Sequence, residues 1–231
     1  MQIAKRYLFC FALCLVCSQA AWAQSNIGEF GPVCISLQCG AGVRVWRIDD
    51  SYDFGTLEFL SKRRLGLGLC GDVSYCLKSG IGLGLRFSSL SSWKKTQEDI
   101  KQTDGSVVLG GVSNSISIEY LGPFVSLPLL CHNLNHRVFL NAGIGGLMYY
   151  DHSKIIDRMI TGRGATIGSY CGLRYCYRVN SLLSINLELS GTGGYLNSLK
   201  KEENGNTEKL SLQVPEWLWH FSANTGFQLS F

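Results

Sequence analysis

The feature that most limits what this chain can fold into is an alternation of period two that recurs from residue 33 to the C-terminus. Val33, Ile35, Leu37, Cys39, Ala41, Val43 and Val45 are apolar or small, and Ser36, Gln38, Gly40, Gly42 and Arg44 stand between them. Successive side chains of an extended strand point to opposite faces, so this pattern predicts a strand with one greasy face. It returns in Leu65, Leu67, Leu69, Val73, Tyr75 and Leu77 against Gly66, Gly68, Asp72 and Ser74, then in Ile81, Leu83, Leu85 and Phe87 against Gly82, Gly84, Arg86 and Ser88. Lys78-Ser79-Gly80 joins these two runs as a tight hairpin.

A fourth run sets Ile116, Ile118 and Tyr120 as the greasy side against Ser117 and Glu119, with a bulge or end expected at Gly122-Pro123 and Pro128. Val138, Leu140, Ala142, Ile144 and Met148 give a fifth strand. Ala165, Ile167, Leu173, Tyr175 and Tyr177 give a sixth, opposed by Thr166, Gly168, Gly172 and Arg174. In the seventh, Leu183, Ile185, Leu187 and Leu189 oppose Ser184, Asn186, Glu188 and Ser190. The eighth runs through Trp217, Trp219, Phe221, Ala223, Thr225, Phe227, Leu229 and Phe231 against His220, Ser222, Asn224, Gly226, Gln228 and Ser230.

The connections alternate in length. Short turns are predicted near 78–80, 130–136 and 178–181, and long loops near 47–64, 92–114, 151–163 and 196–213. These four stretches hold 25 of the 36 charged residues beyond position 23, so charge collects at one end of the structure. That asymmetry is expected of a membrane-spanning antiparallel barrel.

Alternation alone does not separate such a barrel from a soluble one, because both alternate. The polar face decides. In a soluble barrel it meets water and carries many Lys, Glu and Asp, whereas here it is mostly Gly with small hydroxyl and amide residues. Small residues suit the interior of a narrow eight-stranded barrel. The charges on that face, Arg44, Arg86 and Arg174 with Asp72, Glu119 and Glu188, balance three against three. They predict a self-neutralising interior network, since an unpaired buried charge is costly. The greasy face then contacts hydrocarbon, with Trp217, Trp219, Tyr175, Tyr177, Tyr149 and Tyr150 as interfacial aromatics. A soluble secreted ligand-binding barrel is the alternative.

The N-terminus reads as an address. Lys5-Arg6 precedes the apolar run Tyr7–Cys17, and Ala21-Trp22-Ala23 supplies a small-x-small cleavage site. A secretory signal over 1–23 and a barrel domain over 24–231 are expected. Without Lys5 and Arg6 the net charge of +4 becomes +2, too little for a nucleic-acid binder.

With the signal segment, eight alternating strands and the ending Phe227-Gln228-Leu229-Ser230-Phe231, the chain resembles the small eight-stranded outer-membrane β-barrel proteins of bacteria with two membranes. Tyr120-Leu121-Gly122-Pro123-Phe124 is similar to a strand-four pattern in some of them. The resemblance implies an outer-membrane location, contact with outer-membrane lipid and lipopolysaccharide, and recognition by the barrel-assembly machinery through the strand ending at Phe231.

The remaining motifs are weaker. Gly66-Leu67-Gly68-Leu69-Cys70-Gly71 matches G-x-G-x-x-G, but period two runs straight through it, so barrel-interior glycines are expected. Seven of the ten cysteines lie beyond residue 23, as small strand residues; Cys34 and Cys76 share a face and allow a cross-strand disulfide. Beyond residue 23 no C-x-x-C occurs, and no metal or cofactor is predicted. His220 and Ser222 share a face, with Glu188 one strand away, so a Ser–His–acid set is conceivable. The pair resembles the His-x-Ser of a lipid A deacylase, itself a small outer-membrane barrel, although Asn224 does not directly follow the serine and the pair points inward. A polar interior in which His220 bonds to Ser, Asn or Glu is the preferred reading. His132, His136 and His152 are assigned to turns or loops without ligand spacing.

The expectation is therefore an all-β, eight-stranded antiparallel up-and-down transmembrane barrel with a plugged interior. It would act structurally or through its loops rather than as a general porin, with a membrane-embedded hydrolase as the competing reading.

Overall fold

The computed structural model describes residues 32–45, 64–101, 107–133, 135–155, 158–203 and 206–231. The expected signal segment and nearly all of the loop near 47–64 lie outside the described residues. The described regular structure is entirely extended: β1 (Val33–Val45), β2 (Leu65–Cys76), β3 (Gly82–Lys101), β4 (Val107–Asn133), β5 (His136–Ile155), β6 (Arg158–Arg178), β7 (Leu183–Glu203), β8 (Asn206–Trp217) and β9 (Trp219–Ser230). Each pairs antiparallel with its neighbours, and β1 closes onto β9 from Cys34↔Ser230 to Val45↔Trp219.

Nine segments make eight staves. The pairs Tyr195↔Trp217 and Thr192↔His220 keep one register against β7, and between them the Leu218 N–H donates to the Gly194 carbonyl at 3.0 Å. β8 and β9 are thus one wall strand, and the barrel is closed, antiparallel and eight-stranded. A bulge interrupts that strand where the register passes from Leu196↔Glu216 to Ser198↔Ser211. Pro215, inside the bulge, has no N–H to give a ladder.

Three of the expected long loops are largely strand. β3 and β4 stay paired from Trp93↔Ser115 out to Lys101↔Val107, β5 and β6 out to Ile155↔Arg158, and β7 and β8 out to Glu203↔Asn206. Period-two greasiness marks a strand only where one face is covered. Beyond that, backbone pairing continues through stretches such as Lys94-Lys95-Thr96-Gln97-Glu98-Asp99 that keep no two-residue period, which the alternation does not report. At the opposite end the turns are short, and Gly80, with φ of 80°, supplies the left-handed residue that the β2–β3 turn needs.

The two faces divide as the alternation predicts on seven of the eight staves. Leu187 and Leu229 are 55% and 36% exposed on the outside, whereas Arg86 and Glu188 are 1% and 0% exposed inside. Aromatic groups mark both ends of the outer wall. Tyr195 meets Trp217 edge-on at 5.8 Å near the long hairpins, and His136 lies 5.1 Å from Tyr177 near the short turns.

β4 is the exception. Ile116, Ile118, Tyr120 and Phe124 are buried inside, which turns Ser117 and Glu119 to the outer wall. These four pack with Leu147, Tyr149, Tyr170, Leu196 and Leu218 into an apolar layer inside the barrel. Tyr149, expected in an outer girdle, therefore points inward. The ladder runs through Gly122-Pro123 without a shift, and the irregularities fall at Pro128/Leu130 and Cys131/Asn133. Glycine creates the room for the layer: a Cβ on Gly122 or Gly143 would stand 2.8 or 2.9 Å from the Tyr120 hydroxyl. Gly66 and Gly68 line the interior of β2, but Gly71, paired with Leu37, falls on the outer face.

Candidate functional site: the sealed interior

The barrel lumen is occupied by its own side chains in tiers. In the tier nearer the short turns, two cross-strand ion pairs meet. Asp72 on β2 is the register partner of Arg86 on β3, and Arg174 on β6 is the register partner of Glu188 on β7. The second pair of staves lies opposite the first, so each arginine finds a second carboxylate across the lumen. Arg86 Nη2 reaches Glu188 Oε1 at 2.5 Å and its Nη1 reaches Asp72 at 3.2 Å; Arg174 Nη2 reaches Asp72 at 2.5 Å and its Nε reaches Glu188 at 2.7 Å. Two positive and two negative charges cancel within the cluster, and all four residues are buried.

Neutral groups complete the shell. The Tyr170 hydroxyl donates to Glu188 at 3.0 Å while the Arg86 guanidinium lies 4.1 Å from the Tyr170 ring centroid. Gln38 Nε2 donates to Ser36 at 3.1 Å and to Glu188 at 3.5 Å. Charges withdrawn from water persist only when paired and hydrogen-bonded on several sides, and this tier meets that condition.

Two of the six charges expected in one network are elsewhere. Arg44 donates from Nη2 to Glu216 Oε1 at 2.6 Å, near the other end of the barrel, with its guanidinium 5.4 Å from the Tyr149 ring. Glu119, half-exposed on the outer face of β4, does not join the cluster. Between the Arg86 cluster and Arg44 sits the apolar layer. Beyond it Asn114 donates to Asp151 at 2.9 Å and Tyr149 donates to Asp151 at 3.3 Å. Polar, apolar and polar tiers therefore fill the tube in succession. Tyr170, Gln38 and Glu216 were not singled out in the sequence; face parity alone assigns the first two to the interior.

The conceivable Ser–His–acid set is not assembled. Glu188 is engaged by both arginines. The Ser222 hydroxyl is 2.9 Å from the Ser190 hydroxyl and accepts from Asn224 Nδ2 at 3.1 Å. His220, buried beside a cavity with room for about one water, makes no hydrogen bond through Nδ1. His136 and His152, on β5 rather than in loops, contact the Tyr175 and Thr161 hydroxyls at 2.6 and 3.2 Å. His132 lies on β4. Among the described residues no cluster of His, Cys, Asp and Glu could hold a metal ion.

No protein-family model and no curated sequence matches the chain. Solved structures do match in shape. Neisserial surface protein A superposes with a TM-score of 0.55 at 7% identity, covering 87% of this chain and 98% of that one. A major outer membrane protein from Thermus thermophilus gives 0.51 at 14% identity, covering 86% and 99%. At such identities the likeness concerns the fold: a closed, eight-stranded antiparallel barrel of the outer-membrane type.

Proposed function

We propose that this chain is an integral outer-membrane protein whose barrel is shut to solutes and serves as a rigid base for the hairpins and loops at its charged end. The supporting observation is the interlocked Asp72–Arg86–Arg174–Glu188 cluster backed by the Tyr120–Leu147 layer, together with an outer wall of Leu, Ile, Val and aromatic residues. A closed barrel satisfies its backbone internally, as hydrocarbon demands, and an eight-stranded one has no spare lumen for a channel. In this reading the outer wall contacts outer-membrane lipid and lipopolysaccharide. The strand ending at Phe231, whose N–H donates to the Val33 carbonyl at 2.9 Å, is the segment presented to the assembly machinery. Binding at the charged end is the activity left to such a scaffold.

The test is reconstitution of the folded chain into planar bilayers and sugar-loaded liposomes, alongside membrane fractionation and heat-modifiable gel mobility. The expected result is a membrane-fraction protein with heat-shifted mobility that leaves conductance and swelling at the empty-liposome level. Recovery from the soluble fraction without detergent would favour the secreted ligand-binding barrel, and steady single-channel currents would remove the sealed-base reading.

A further inference from the structure

We propose that Cys34 and Cys76 form an oxidisable pair that closes into a cross-strand disulfide at the short-turn mouth of the barrel. Their sulfurs are 3.7 Å apart, and the Cys34 sulfur also lies 3.5 Å from the Ser230 hydroxyl. The ladder explains the approach. Cys34 pairs with Ser74, and the Cys76 N–H extends the same ladder by donating to the Pro32 carbonyl at 2.7 Å. The two cysteines are therefore diagonal neighbours on the inward face of β1 and β2, and their side chains already span that diagonal. Bringing the sulfurs from contact to a bond of about 2 Å takes a movement of about 1.7 Å, shared between two side chains. Of the other cysteines whose side chains are described, Cys39 and Cys171 face outward, while Cys70 and Cys176 lie against the amide oxygens of Gln38 and Gln228.

Exposure sets the order of events. Cys76 is half-exposed at the rim and Cys34 is buried behind it. The Cys76 thiolate attacks a disulfide oxidant, forming a mixed disulfide and releasing one oxidant thiol. The Cys34 thiolate then attacks the Cys76 sulfur, releasing the second oxidant thiol. Two protein thiols lose two protons and two electrons, and the oxidant disulfide becomes two thiols. Encounter with such an oxidant in the cell rests on the export reading, whereas the pair itself does not. Cys34 lies on β1, which binds both β2 and β9, so the bond would staple the strand that closes the barrel.

The experiment incubates the folded chain in lipid bilayers with oxidised glutathione, blocks free thiols with an alkylating reagent and maps peptides without reduction. The expected product is one intramolecular link between the Cys34 and Cys76 peptides, with Cys39, Cys70, Cys131, Cys171 and Cys176 alkylated. In the C34S variant glutathione should stay trapped on Cys76, and in C76S the yield of mixed disulfide should fall at least several-fold. Alkylation of both Cys34 and Cys76 in the wild-type chain, or a link from either to any other cysteine, would overturn the proposal. Fractionation reads the location independently, so the two readings fail separately.

Discussion

Arg86 and Glu188 project from staves on opposite sides of the barrel and meet at 2.5 Å in its centre, each also bound to its own register partner, Arg86 to Asp72 and Glu188 to Arg174. The lumen is closed by a contact across its diameter as well as by packing along its walls. Replacing Glu188 with Gln leaves two arginines facing Asp72 alone, and an uncompensated buried charge costs about 3–5 kcal/mol. Urea titration of E188Q in bilayers should show a loss of that order. A loss below about 0.5 kcal/mol would mean that the cluster is not what holds the tier together.

Glu119 provides the matched control. It lies half-exposed on the outer face of β4, away from both arginines, so E119Q should change stability by no more than about 0.5 kcal/mol. A cost equal to that of E188Q would restore Glu119 to the interior.

Leu85 tests the hydrocarbon. Its side chain is exposed on the outer wall beside the level of the ion cluster. An arginine placed there should cost about 2–4 kcal/mol of folding free energy in a bilayer, the penalty for a cation near the midplane of a barrel wall. A soluble barrel would accept L85R with little effect, and equilibrium unfolding in lipid vesicles separates the two.

Gly168 and Leu147 should behave as one unit. A Cβ on Gly168 would overlap the Leu147 side chain, which is fully buried in the apolar layer. Alone, L147A should cost about 2–5 kcal/mol through the cavity it leaves, and G168A should destabilise by overpacking. The double variant should recover about 0.5–3 kcal/mol relative to the sum of the singles. Additive costs would show that the two sites do not touch.

Enzymatic use of His220 and Ser222 is checked most directly by product. Mass spectra of lipid A from cells expressing wild-type protein, H220A and S222A should be identical. An acylation change that depends on His220 would reinstate the hydrolase.

The alternation in the sequence was sufficient to number the staves, find the short turns and orient β1–β3, β5–β7 and β9. It put Asp72, Arg86, Arg174 and Glu188 on one face, and their antiparallel neighbours followed from the hairpins. Which charges would meet across the lumen was not legible, because that depends on how far the sheet is staggered as it closes, a quantity set jointly by every strand pair. β4 misled for a related reason. Polar and apolar residues alternate there as elsewhere, but the tier it crosses is apolar, so the greasy side faces in and Glu119 faces out. Face assignment by polarity assumes a uniform interior, and this interior changes character along the axis. The hairpins beyond the barrel escaped because stretches such as Lys94-Lys95-Thr96-Gln97-Glu98-Asp99 carry no two-residue apolar period.

The opposed ion pairs also act as a gauge of stagger. Sliding one wall by two residues during closure would keep every side chain on its own face, so face polarity does not penalise that error. It would, however, carry Arg174 and Glu188 about 7 Å past Arg86 and Asp72, leaving four charges stranded in the dark of the tube. Only one closure lets them meet, and the central cross-link thereby discriminates the correct barrel from its near-misses at the moment β9 finds β1.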